Sequence, residues 1–333
     1  MTRRGIVCAG NWLIDTVKTL DRFPPEGELA QILRTDRAAG GACNLLFDLA
    51  KLRTDLPLWG CGCVGEDEGG RWLSSELEHL NINGDLLRMV PGGETAGTDV
   101  MSVGGKRTFF YNAGCNRLFG EEDLAQIRVP AKIVYLAYIL LLPSLDEPDA
   151  EFGTRAARAL AGLRQNGYLT AVDLISAAPE RFMKIVPSAL PQIDIFVINE
   201  VEAGNLCGMQ LRKPDGSLDE PLLEKAARKL LDLGVHELAA IHYPEGCVAA
   251  AADGAFCSMP SCPMEKKDIV GTNGAGDAFF AGLLYAYHEG KTLPEMLRYA
   301  SASARFNLRH ATANGGAPTL TELEDFLKSK AEC

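Results

Sequence analysis

Positive charge is in short supply in this chain: 33 Lys and Arg stand against 44 Asp and Glu, leaving a net charge of −11 over 333 residues. A nucleic acid or an anionic membrane demands a basic face, so neither is expected as a partner, although single basic residues remain available for a small phosphate. Long apolar runs are lacking as well, since no segment reaches the ~18 uninterrupted apolar residues of a bilayer span. The opening MTRRGIVCAGNWLID carries two arginines and then a short mixed run with Gly10, Asn11 and Asp15 in place of a signal-peptide core, so the cytoplasm is the expected compartment. The ten cysteines are scattered, and the closest pairs, Cys61/Cys63 and Cys257/Cys262, miss the C-x-x-C spacing of zinc sites. Most therefore read as buried free thiols. Two nucleotide signatures are also missing: no G-x-G-x-x-G follows the first strand, and no G-x-x-x-x-G-K-[ST] occurs, which removes a dinucleotide oxidoreductase and a P-loop kinase.

What is present is a full-sized core, with 47% apolar residues, and an alternation of strand and helix patterns. Strand signals at Gly5 to Ala9, Pro57 to Val64, Ile133 to Ala137, Tyr168 to Val172 and Ile193 to Ile198 are separated by helical periodicities. Those begin at Gly40-Gly41 with Leu45, Leu46, Leu49 and Leu52, and at Asp67, a cap for Trp72, Leu73, Leu77 and Leu80. Further helices are expected over Glu151 to Leu163, Leu222 to Leu233, Asp277 to His288 and Leu293 to Leu308. Such alternation predicts an α/β fold with a mostly parallel central sheet covered by helices on both faces. Turn and exposed-strand signals fall around Phe23-Pro24-Pro25, and short extended runs at Thr98 to Val103 and Arg107 to Tyr111 flank a Gly104-Gly105 hairpin signal. A small antiparallel sheet is expected there.

The sharpest motif is GTNGAGDAFFAGLLYAY, Gly271 to Tyr287, a glycine-rich turn running into an apolar helix. Glycine lets backbone N–H groups approach an anion, and a helix N-terminus adds favourable dipole energy of roughly 0.3–1 kcal/mol. Gly274, Ala275 and Gly276 can thus cradle a phosphoryl group. Asp277 would repel that anion unless it is there to take a proton from an attacking hydroxyl; the alternative is a helix-capping Asp.

Here the chain resembles the ribokinase-like, or phosphofructokinase-B-type, carbohydrate kinases, whose signature D-T-x-G-A-G-D matches at six of seven positions. The resemblance implies ATP as donor, Asp277 as base and Gly274–Gly276 as anion hole, with Thr272 on the nucleotide. Gly271 stands where the family has an Asp tied to a monovalent-cation site, so potassium activation is not carried over. Asp15 in G-N-W-L-I-D and Gly40, Gly41 and Asn44 in AAGGACNLLFDLAKL resemble the family's sugar-binding signature. Taken alone, they read equally as a turn residue and an ordinary helix entry.

The resemblance continues through F-P-x-x-G-E at Phe23 to Glu28 and A-G-x-N at Ala113 to Asn116. Asn199 and Glu202 in VINEVEAG match an N-x-x-E element that places Mg²⁺ and phosphates; they read also as a helix cap with a first-turn acid. In Ala239 to Phe256, beside the expected nucleotide site, only Gly246 fits the family's turn. There His242-Tyr243-Pro244 replaces small polar residues, and His242 is a candidate contact to a phosphate or base, with a satisfied, partly buried side chain the favoured reading. Lys106 and Arg107 can contact a phosphate or an acid on the substrate or decorate a hairpin edge, and the edge reading is the favoured one.

The resemblance covers the chain from Ile6 to about Leu327. It implies one kinase domain over 1–333, with lid strands inserted at about 16–37 and 95–112 and a homodimer formed through the lid. A sugar is the expected acceptor; a purine nucleoside kinase and a catalytically weak sugar sensor are the alternatives. The lid and the region of Tyr138 are expected to decide among acceptors.

Overall fold

The computed structural model describes residues 3–104, 106–175 and 177–329. Fifteen strands occur among them: β1 (Ile6–Gly10), β2 (Trp12–Leu20), β3 (Ile32–Gly41), β4 (Leu58–Gly65), β5 (Asn83–Val90), β6 (Ala96–Val103), β7 (Lys106–Asn112), β8 (Ile133–Ile139), β9 (Pro148–Asp149), β10 (Gly153–Thr154), β11 (Leu169–Leu174), β12 (Ile195–Asn199), β13 (Leu238–Tyr243), β14 (Gly246–Ala251) and β15 (Phe256–Pro260). The helices are α1 (Ala42–Lys51), α2 (Glu68–His79), α3 (Glu121–Ala125), α4 (Arg155–Gln165), α5 (Pro179–Ala189), α6 (Glu200–Cys207), α7 (Glu220–Asp232), α8 (Ala275–His288), α9 (Leu293–Asn307) and α10 (Leu320–Ser329).

Nine strands form one sheet in the order β15-β14-β13-β12-β11-β8-β1-β4-β5. The seven from β13 to β5 are parallel, and β14 and β15 add an antiparallel edge. Strands β1 and β4 are buried at every residue, as expected where helices cover both faces. Two apolar clusters follow, one against each face. Trp12 is the largest fully buried side chain: its ring lies over Gly60 and Gly62, where any Cβ would come within 2.6 Å of it, and its indole N–H donates to Cys61 O at 2.9 Å.

The order of strands reverses between β1 and β8: the chain moves one way through β4 and β5, the other through β11 to β13. At such a reversal the loops beyond the carboxyl ends of the strands part and leave a crevice. A second sheet of order β3-β2-β6-β7 rises beside that crevice.

The structure corrects several expectations. The small sheet is mixed: β2 pairs with β6 in parallel, because both leave the main sheet in the same direction, while β2–β3 and β6–β7 are antiparallel. Its hairpin turns at Gly104, φ 55, and Gly105 lies outside the described residues. Helix α4 begins at Arg155, since Thr154 caps it by accepting from Ala157 N and the preceding residues form the β9–β10 ribbon. Helix α8 begins two residues before Asp277, because Gly274 in the left-handed region opens it. Helix α5 was not among the expected helices, although Phe182, Ile185, Val186 and Ala189 recur at helical spacing and are buried; Pro187 inside it reads as a breaker. The nine described cysteines are all free and all but Cys257 are buried, as expected.

Candidate functional site

Gly274 adopts φ 74, and a Cβ there would lie 2.3 Å from Ala313 O, so only glycine fits. That carbonyl is itself held by the side-chain amide of the buried Asn307, which ties the turn to the loop after α9. The first N–H groups of α8 have no intrahelical acceptors and open into the crevice as a ready anion site.

Asp277, in the first turn of α8, does not cap its helix. Its two oxygens accept instead from Tyr138 Oη at 2.5 Å and Asn44 Nδ2 at 3.1 Å, groups contributed by the end of β8 and the first turn of α1. Burial pushes its carboxyl up to about 6, opposed by those two hydrogen bonds, while the Asp15 charge pushes the same way as burial. Asp15 is likewise pushed to about 6, chiefly by burial, against a hydrogen bond from Thr98 and the charge of Arg107. Gly40 pairs opposite Leu13, and a Cβ on it would sit 2.7 Å from Asp15 Oδ2. Gly41, at φ 68, leads into α1 with its Cα against Asn11 O, where a Cβ would come to 2.2 Å.

A cavity of about 340 Å³ gathers Asp15, Gly41, Asn44, Asn199, Glu202, Gly274, Gly276 and Asp277, residues from six elements and up to 262 positions apart along the chain. Phe109 and Tyr138 supply its aromatic walls. A second cavity, of about 570 Å³, takes in Asn199, Gly246, Thr272, Ala275 and Gly276, with Tyr243, Pro244 and Ile269 among its apolar lining. The two meet at Asn199, His242 and Gly276. Of the catalytic, acceptor, nucleotide and Mg²⁺ residues expected from the sequence, only Gly40 stands behind the walls of the two cavities, where it makes room for Asp15.

Asn199 and Glu202 form a reciprocal cap on α6: Asn199 Oδ1 accepts from the N–H groups of Val201 and Glu202, and Glu202 Oε2 accepts from Asn199 N. Both readings of this pair are thus compatible, since they cap the helix and line the junction together. Among the described residues no three His, Cys, Asp or Glu side chains close into a metal cage. Yet four carboxylates, Asp15, Asp173, Glu202 and Asp277, line a cavity whose walls hold no Lys or Arg. Such a donor set suits a hard cation that arrives on phosphates and keeps its waters, as Mg²⁺ does. Gly271 offers no side-chain oxygen, and a Cβ there would meet His310 O at 2.9 Å.

Sequence reasoning missed Asp173, nearly buried at the end of β11, which accepts from Tyr135 Oη at 2.8 Å and is pushed well up by burial and the nearby Asp277. It also missed that Tyr138 touches Asp277; the available signal was a hydroxyl at the end of an otherwise apolar strand. His242 packs on Phe279 with ring centroids 5.4 Å apart, and burial lowers it to about 4, so its imidazole is neutral at the junction. Asn116 of the A-G-x-N element serves the framework, accepting from Trp12 N at 2.9 Å.

Comparison with known proteins gives the family and the fold. The model of the pfkB family carbohydrate kinases matches residues 3–320. The chain is 28% identical to the probable chloroplastic fructokinase-6 of Arabidopsis thaliana over 97% of its own length and 82% of that protein's. It is 25% identical to the ATP-dependent ribose-1-phosphate kinase of Halopiger xanaduensis over 98% of each chain. Its fold is similar to that of Arabidopsis thaliana ribokinase complexed with ribose and ATP, at a TM-score of 0.78 and 23% identity, covering 98% of this chain and 99% of that one. A nucleoside kinase of Methanocaldococcus jannaschii is similar too, at a TM-score of 0.75 and 19% identity over 99% of each chain.

Proposed function

The chain belongs to the pfkB family of carbohydrate kinases, and on that premise we propose that it transfers the γ-phosphoryl group of ATP to a hydroxyl of a sugar held in the smaller cavity. One observation carries this reading: Asp277 lines the smaller cavity next to Gly276, where that cavity meets the larger one, and is held by Tyr138 and Asn44 where a capping Asp would turn to its own helix.

Asp15, Asn44 and the Gly41 backbone hold the acceptor's hydroxyls, and the larger cavity, with its apolar walls at Ile269 and Phe279, takes the nucleotide beside Thr272 and Gly246. Asp277 accepts the proton of the attacking hydroxyl as the new O–P bond forms and the bond to ADP breaks. The Gly274–Gly276 turn donates N–H groups to the phosphoryl oxygens as charge shifts among them. A carboxyl poised near 6 is ionised at neutral pH yet more basic than an ordinary Asp, which suits a general base. Mg²⁺ would be held near Glu202 and Asn199 through phosphates and water, where it neutralises phosphate charge.

The four-stranded sheet acts as a lid that excludes water, the competing acceptor. Its strands expose Ile32, Leu33 and Phe110, and the β2–β3 connection exposes Leu29, apolar area that supports a homodimer formed through the lids. Among the described residues no helix is long and apolar enough to cross a membrane, and the free buried thiols suit the cytoplasm.

The test is ADP release from Mg-ATP against sugars, sugar acids, sugar phosphates and nucleosides. Turnover on a sugar is expected. A nucleoside is the second acceptor class to include, because Phe109, 58% exposed, offers a base a stacking face at the cavity. Silence across the whole panel from protein that still binds a sugar by thermal shift would replace the kinase reading with a sensor.

A further inference from the structure

For Arg107 the sequence leaves two readings, a contact to a phosphate or acid and, the favoured one, an edge charge on a hairpin. The fold favours the first. It lies at the Ser102-paired position of β7, two residues before Phe109, which lines the acceptor cavity. Its guanidinium comes over the entrance of the glycine turn, with Nη2 3.4 Å from where a Gly271 Cβ would stand. Its charge acts also on Asp15, across the acceptor cavity. One guanidinium therefore lies between the residue that holds the acceptor and the turn that receives the phosphates.

Arg107 is half-buried, and among the described residues it makes no hydrogen bond or ion pair. Three other cations of the same sheet are engaged, Lys18 with Asp99, Arg34 with Asp36 and Arg37 with Glu68, while the neighbouring Lys106 is exposed to solvent. On the nucleotide side, Arg305 donates to Pro263 O and stacks on Phe326. A guanidinium left without partners beside a cavity lined by four carboxylates is placed for an anion that enters with a ligand.

We propose that Arg107 is a catalytic residue that reaches down from the lid and donates to the equatorial oxygens of the phosphoryl group during transfer. This rests on the kinase reading above. The phosphoryl group crosses between the two cavities, and the span from Asp15 to Gly271 brackets that crossing. Its three oxygens carry charge into a pocket whose own side chains are acidic, so a cation there lowers the barrier; the proton still passes to Asp277 and the bond to ADP still breaks. Because the arginine stands on the lid, the cation arrives when the lid lies over a bound acceptor. Recognition of an acidic group on the acceptor is the competing role, and the span between Asp15 and the glycine turn favours transfer over it.

The experiment compares wild type with Arg107→Gln and Arg107→Lys in the full chain, measuring kcat and acceptor KM separately for one neutral and one acidic acceptor, with thermal unfolding alongside. Arg107→Gln is expected to lower kcat by about 10²–10³-fold on both acceptors, the usual size for loss of one transition-state donor. KM and Tm should hardly move, and Arg107→Lys should recover part of the loss, as a point charge without the fork. Unchanged kcat in Arg107→Gln overturns the proposal. A loss seen only in the KM of the acidic acceptor also overturns it and assigns the arginine to acceptor recognition. A wild type silent on every acceptor removes the kinase reading first and this role with it.

Discussion

The main sheet and the lid are built on opposite principles. Strands β1 and β4 expose nothing and are held by side chains on both faces, whereas β7 is exposed at six of its seven residues and half-buried only at Arg107. The lid is held by its ladder, by surface ion pairs worth about 0–1 kcal/mol each, and by the buried roots of β2 and β3. A region with little buried apolar area opens at low cost in free energy. On the proposed kinase reading, the body holds Asp277 and the glycine turn in place and the small sheet is the part free to act as a lid.

The comparison breaks most decisively at Asp277 and Trp12. Asp277→Asn should lower kcat by about 10²–10⁴-fold while the protein stays folded, and near wild-type turnover would remove the residue from the mechanism. Trp12→Ala deletes the ring that fills the space above Gly60 and Gly62, and about 3–5 kcal/mol of stability should go with it in chemical denaturation. A loss below 1 kcal/mol would mean that the body repacks as freely as a loop.

A pH series sharpens the contrast without mutation. Since Asp277 must be ionised to accept a proton, kcat should rise with pH through a midpoint near 6, with Asp15 coupled to the same step. Stability runs the other way. A carboxyl raised from 3.8 to about 6 favours the folded state at low pH, and that contribution is lost as pH rises through about 6. Asp277→Asn should accordingly melt no lower than wild type at pH 8; a clearly lower Tm there would show that burial is not what raises the carboxyl.

The smallest effect on stability is expected in the lid. Leu33 is 60% exposed, so Leu33→Lys should change stability by no more than about 0.5 kcal/mol. If the lids pair, the same change should halve the mass seen by light scattering. A wild type that is already a monomer would refute the lid-mediated dimer.

Much of the body was legible because its signals are local. The apolar runs of β4 and β8 and the spacing of Leu45, Leu46 and Leu49 on α1 state their own burial. Gly274 and Gly41 announced turns that their positive φ angles require. Helix α5 was legible in the helical spacing of Phe182, Ile185, Val186 and Ala189 but masked by Pro187, whereas the parallel β2–β6 pairing was not legible, since it joins strands more than 70 residues apart. For Asn199 and Glu202 the sequence supported both a cap and a site, and the structure shows the two roles sharing one pair of side chains.

By itself the sequence determined the class of fold, the glycine turn, and the order of the residues that reach the crevice, because hydrophobic period and glycine backbone freedom act over a few neighbours. Tertiary structure alone decided that Tyr138 and Asn44 would take both oxygens of Asp277, that Asp173 would join the cavity, and that an arginine on a hairpin edge would lie beside Gly271. Those contacts join residues 139 to 233 positions apart for the base, and 164 for the arginine. Distances across a folded sheet leave no trace in local spacing.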